Sequence, residues 1–220
     1  MSIIRSAMEE VKKWHQEKLL LKVVEALKRR DFDACYFPDI TGVNEYLLKT
    51  IPPDASIGVG GSVTIRELGI IERFEERGNK VIHHWRAGLT EKTDREIRKK
   101  ELLADYYLTS ANAITKNGDI INIDGIGNRI AGMIYGPSTV FIIAGFNKIV
   151  ASIHDGIKRS KEIAAVMNAK RVSAGTPCAS SGICIDCNVK ERICRVIAII
   201  QYRPWQTNIS VLLVNERLGF

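Results

Sequence analysis

The sequence predicts an α/β fold: a mostly parallel sheet flanked by helices, with an N-terminal helix before it and a cysteine-rich loop plus a pair of strands at its C-terminal end. Three observations predict this. Between about residues 55 and 169, strand-like segments alternate with stretches whose apolar residues recur at helical spacing, and such alternation builds parallel sheets covered on both faces. Pro52-Pro53 and the glycines at 58, 60 and 61 punctuate the pattern between elements. The run Val140-Phe141-Ile142-Ile143-Ala144 is apolar at consecutive positions, as in a strand buried on both faces.

Taken in order, Val11, Trp14, Leu19, Leu20, Val23, Val24 and Leu27 recur at helical spacing among charges, which predicts an amphipathic helix over 1–30. A short strand at 32–37 and a helix at 41–49 follow, the helix stopped by Pro52-Pro53. A strand at 55–59 runs into glycine. Helix 63–77, strand 80–84, helix 93–103 and strand 105–109 continue the alternation. Asn117-Gly118 is a hairpin signal between 112–115 and 119–123. A helix from about 127, a strand at 139–144 and a helix over 152–169 complete the unit. Pro177, Gly182 and Asn188 make 171–195 a loop. Two strands, 196–202 and 208–215, are joined around Pro204-Trp205. A single domain over 1–220 is expected.

Composition excludes several classes of function. Charged residues near the start, Glu9, Glu10, Lys12 and Lys13, predict no signal peptide, and no apolar run reaches the length of a membrane span. A cytoplasmic protein is expected, with reduced thiols. The formal charge of +7 favours anionic partners. Its basic residues are spread along mixed-charge stretches without an aromatic platform, which argues against nucleic acid.

Two loops carry candidate binding chemistry. Gly58-Val59-Gly60-Gly61-Ser62-Val63-Thr64 joins a strand to a helix, where exposed backbone N–H groups, with the Ser62 and Thr64 hydroxyls, suit phosphate or carboxylate oxygens. A tight turn capped by Ser62 is the plainer alternative. The second loop spans 112–129. There Asn112, Thr115, Asn122, Asp124, Asn128 and Arg129 follow strand ends, and ligands of open α/β sheets bind outside the carboxyl ends of strands. A turn with Arg129 on the surface is equally compatible with the pattern. Lys148 is a candidate fixed cation. Glu67 and Asp124 are candidate bases or nucleophiles. His83-His84 end a strand, so one of them can face a cleft, but no acid partner is evident nearby in the sequence.

Four of the five cysteines, Cys178, Cys184, Cys187 and Cys194, fall within seventeen residues as C-x5-C-x2-C-x6-C. Four thiolates complete the shell of zinc or of an iron-sulfur cluster. The spacing matches neither a zinc ribbon with two C-x-x-C knuckles nor a bacterial ferredoxin, and metal-free thiols that pack or respond to oxidants remain an alternative. Cys35 reads as a buried strand residue.

Four motifs stand in order along the chain: 57–64 with Glu67-Leu68-Gly69, Ala104-Asp105 through Ala113-Ile114-Thr115 with Gly118, Gly127-Asn128-Arg129, and Gly145-Phe146-Asn147-Lys148-Ile149-Val150. On these residues the chain resembles the LUD-domain family, the lactate-utilisation proteins. The resemblance implies a fold similar to ribose-5-phosphate isomerase, glucosamine-6-phosphate deaminase and the CoA transferases, in which a loop like 58–64 holds substrate phosphate. It further implies a part in oxidising lactate alongside iron-sulfur partner subunits. The expected role is binding of a small anionic metabolite by Gly58, Gly60, Gly61, Ser62, Thr64, Asn112, Asn128, Arg129 and Lys148. Alternatives are a sugar-phosphate isomerase or CoA transferase-like enzyme, and a redox-sensing accessory subunit. Self-association into a homo-oligomer is compatible with all three.

Overall fold

The computed structural model describes residues 2–220, with side chains from residue 7 onward. Met1, the first residue of the expected N-terminal helix, lies outside the described residues. Helix α1 (Ser2–Lys28) buries Leu20, Val23, Val24 and Leu27, whereas Val11 and Trp14 are exposed. Among the described side chains of α1, the buried ones lie in its C-terminal half.

Strand β1 (Asp33–Phe37), helix α2 (Ile40–Thr50) and strand β2 (Ser56–Val59) follow, with α2 capped by Asp39, whose carboxylate accepts from the Gly42 N–H at 2.9 Å. The helix expected over 63–77 is broken into α3 (Val63–Glu67) and α4 (Ile70–Glu76). The cause is Gly69, at φ 61°, a left-handed conformation that ends the first helix and starts the second. Then come β3 (Lys80–His83), α5 (Glu91–Glu101), β4 (Tyr106–Thr109), the antiparallel hairpin β5 (Ala113–Thr115) and β6 (Ile120–Asp124), α6 (Asn128–Tyr135), β7 (Thr139–Gly145) and β8 (Ile149–Val150). The helix expected over 152–169 is α7 (Ile153–Arg159), a π-helical turn (Ser160–Ala165) and α8 (Val166–Arg171). The segment expected as irregular holds a short helix, α9 (Pro177–Ser181), with proline at its first turn.

Six strands form a sheet in the order β1, β10 (Asn208–Val214), β7, β4, β2, β3, every pairing parallel. A second sheet runs β8, β5, β6, β9 (Val196–Ile200). The last two strands, β9 (Val196–Ile200) and β10 (Asn208–Val214), do not pair with each other as expected but belong to different sheets. Their burial explains this. Six consecutive residues of β10 from Ile209 are buried, which only an interior strand allows, while Val196, Ile197 and Ile199 stay about 40% exposed on an edge strand.

Alternate residues of the main sheet feed two cores. Val140, Ile142 and Ala144 join Leu20, Val23 and Leu27 of α1, while Phe141 and Ile143 meet Val43 and Leu47 of α2 and Ile65, Ile71 and Phe74 of α3 and α4. The protein is thus an α/β sheet covered by helices on both faces. Among the described residues no helix is long and apolar enough to cross a membrane.

Candidate functional site

A cavity of about 420 Å³ opens at the carboxyl ends of the parallel strands, within the range of small-molecule sites. Five of the six strands deliver residues to it: Gly61, Ser62 and Thr64 after β2, His84 and Trp85 after β3, Ser110 and Asn112 after β4, Lys148 after β7, and Phe220 after β10. The loop from β6 into α6 adds Asp124, Asn128 and Arg129. Residues of both polar loops therefore line one cavity.

Lys148 is 3% exposed and gives its ammonium protons to Thr64 Oγ1 at 2.7 Å and Ser110 Oγ at 2.8 Å. Both acceptors are neutral, and an ammonium has three donors, so one N–H is unspent. Burial holds its pKa well below the usual lysine range, Arg159 and Arg129 push the same way, and Glu67 opposes them. Arg129 donates to Asn112 Oδ1 at 3.0 Å and to the Ile123 carbonyl, and burial lowers its pKa as well, against the opposing pull of Asp124. The Asp124 carboxylate accepts from the N–H groups of Ile126, Arg129 and Ile130 at 3.1 to 3.2 Å, so it caps α6. Asn128 accepts from Arg98 at 3.4 Å, and its buried Nδ2 has no partner. Among cavity-lining side chains Arg98, Arg129, Lys148 and Arg171 are cationic against Asp124 alone.

The remaining candidates lie elsewhere. Gly58 and Gly60 do not line the cavity. A Cβ at Gly58 would overlap the Glu101 carbonyl oxygen, and one at Gly60 would come within 2.6 Å of the Tyr107 hydroxyl oxygen, so both glycines admit close packing behind the site. Glu67 also lies outside it, its carboxylate accepting from the Gly219 N–H at 2.6 Å. Asn147 holds the same C-terminal stretch, accepting from the Leu218 N–H at 3.1 Å.

The LUD domain model matches residues 20–214 of this chain, from the packed half of α1 to the last residue of β10. The chain belongs to the LUD-domain family. A crystal structure of a DUF162 family protein from Deinococcus radiodurans is similar at 14% identity and a TM-score of 0.49, covering 90% of this chain and 98% of that one. No curated protein matches.

In this LUD domain several site residues carry no local sequence signal. His84 has an acid partner after all: Glu101, from α5, places Oε1 at 2.7 Å from Nδ1. His83 points the other way, where Nδ1 accepts from Arg66 at 3.0 Å, and burial with the neighbouring guanidinium pushes its pKa down to about 4. Arg159 joins two loops of the site by donating to the Asn147 carbonyl at 3.0 Å and to the Asn112 carbonyl. Trp85 is flanked by the guanidiniums of Arg66 and Arg171, at 4.9 and 4.4 Å from its ring.

The cysteine segment borders this site. Ile193 lines the cavity, and a Cβ at Gly125 would stand 2.8 Å from the Ile193 carbonyl oxygen. Cys178, Cys184, Cys187 and Cys194 are all half-buried free thiols. By donor chemistry they suit zinc or an iron-sulfur cluster, but no three of the described His, Cys, Asp or Glu side chains are gathered as metal ligands. The segment is held instead by Arg192, which donates to the carbonyls of Cys194 and Cys187 and to Asp186 at 2.7 to 2.9 Å. In this arrangement the thiols do not form a metal shell.

Proposed function

We propose that this LUD domain binds a small metabolite bearing a carboxylate or phosphate, and serves in lactate or related organic-acid oxidation. The observation that carries the reading is Lys148: a buried amine whose two hydrogen-bond partners are hydroxyls rather than carboxylates. Charging this group is costly with only neutral hydroxyls in contact and Glu67 the one carboxylate acting on it, and a bound anion supplies a closer counter-charge. Arg129, fixed by Asn112, and the unpartnered Asn128 amide extend the same donor surface. The oxidation role comes from the family. A cavity of about 420 Å³ exceeds what a three-carbon acid fills, which leaves room for a second reactant or a longer substrate.

Anion binding draws the Lys148 pKa back toward its ordinary value, so binding takes up protons at pH values between the two. Calorimetry with lactate, pyruvate and inorganic phosphate in buffers of different ionisation enthalpy measures this. The expected result is binding with proton uptake in the intact protein and at least tenfold weaker binding in Lys148→Met, as removal of a charged hydrogen bond worth about 1.5–3 kcal/mol requires. Absence of binding for all three anions, or equal affinity in the variant, would overturn the reading.

A further inference from the structure

We infer that His84 and Glu101 work as an acid–base dyad on the ligand of this cavity, with His84 Nε2 exchanging the proton and Glu101 positioning the ring. The inference rests on the anion-site reading above and names a reaction class for the same site.

Glu101 is 0% exposed and is the buried residue of α5, whose other residues are mostly charged and are exposed or half-buried. One carboxylate oxygen meets His84 Nδ1 and the other has no hydrogen-bond partner. A buried carboxyl–imidazole pair adds little net stability over an apolar pair of similar volume, so fastening α5 to the end of β3 is a weak reason for this one. With the carboxylate accepting from Nδ1–H, the neutral ring carries its lone pair on Nε2. No hydrogen bond within the described residues involves that nitrogen. A Cβ at position 61 would lie 3.2 Å from Nε2 and 3.4 Å from the indole nitrogen of Trp85. Glycine there keeps the nitrogen open to the cavity that both residues line.

The chemistry is proton transfer at a carbon next to a carbonyl. The C–H bond breaks, an N–H bond forms at Nε2, and the electron pair moves into the carbonyl to leave an enolate oxygen. Arg129 and Lys148, lining the same cavity, favour that negative charge. Glu101 stabilises the imidazolium, and return of the proton closes the cycle without any redox partner.

The test uses the full chain with pyruvate in D2O, following loss of the methyl proton signal by NMR, with calorimetry on the same samples. We expect exchange above the protein-free rate, a fall of about 100-fold or more in His84→Gln, and in Glu101→Gln a rate at least about tenfold lower at unchanged pyruvate affinity. Glu101→Asp, which keeps the carboxylate, should recover part of the rate; a merely structural tie would leave the rate per folded molecule unmoved in both Glu101 variants. Pyruvate bound without exchange, or exchange undiminished in His84→Gln, would overturn the dyad alone. No binding of pyruvate, lactate or phosphate would overturn the anion site and the dyad together.

Discussion

The glycine loop after β2 and the cysteine segment after α8 both concentrate chemistry-bearing residues, yet the fold treats them in opposite ways. Side chains around the first are held by long-range partners in a buried setting: Lys148 on Thr64 and Ser110, His84 on Glu101, Arg129 on Asn112. In the second, the shape is set by Arg192 gripping backbone carbonyls within its own segment, and the thiols are left half-buried and unpaired. Fixed, partly desolvated polar groups are what binding and catalysis use. Half-buried thiols on a local loop are suited to exchange with solvent reagents or to rearrangement. The comparison predicts where substitutions will hurt.

The largest effect falls behind the glycine loop. Gly58→Ala forces a methyl group onto the Glu101 carbonyl oxygen, backbone that has no rotamer to yield, and should cost about 3 kcal/mol or more in urea unfolding. Cys184→Ser, on the segment, should change stability by less than about 0.5 kcal/mol. Equal costs would erase the distinction. Next is Lys148→Met, in which binding and stability should separate: affinity for phosphate or pyruvate falls at least tenfold, while stability moves by less than about 1 kcal/mol, since losing the hydroxyl contacts is offset by no longer burying a polar amine.

Thiol reactivity sharpens the other half of the comparison. Protein purified without air should show four fast thiols toward a disulfide reagent, with Cys35, half-buried rather than buried as expected but packed against the core from β1, slower. Fewer fast thiols, accompanied by stoichiometric zinc or by iron and sulfide, would mean that the segment gathers its sulfurs around a metal. Arg192→Ala should then speed amide exchange across 186–195 without altering exchange in the main sheet, because its three hydrogen bonds all close within that segment.

Elements of the fold were legible wherever a local pattern carried them. The 140–144 run and the Asn117-Gly118 turn each state their structure in consecutive residues, and the strands of the main sheet lie where alternation puts them. The two strands after the cysteines were legible as strands but not as members of different sheets, because partner choice depends on burial that becomes visible only in three dimensions. The site divides in the same way. Convergence of the Ser62–Thr64 loop with Asn112, Arg129 and Lys148 follows from strand-end geometry. Gly58 and Gly60 read as part of an anion cradle, whereas the space they free is taken by Glu101 and Tyr107 from other elements. Glu101 sits among exposed charges in Glu-Lys-Thr-Asp-Arg-Glu-Ile-Arg-Lys-Lys-Glu, and no periodicity marks one glutamate of that helix as the partner of a histidine seventeen residues away.

The smallest expected effect separates the two adjacent histidines. His83 is held neutral by burial and by Arg66, with its pKa lowered to about 4, so between pH 6.5 and 4 the unfolded chain binds a proton that the native state refuses. Stability contributed by the neutral ring is therefore present above pH 6.5 and lost as pH falls through that window. His83→Gln, which keeps an acceptor for Arg66, should flatten the decline of the urea midpoint between pH 7 and 4.5 by roughly half a molar or less. Binding of anions at pH 7 should be unchanged, since His83 does not line the cavity. A variant whose midpoint falls in parallel with the parent would show that this histidine titrates freely, and that the guanidinium beside it does not control its charge.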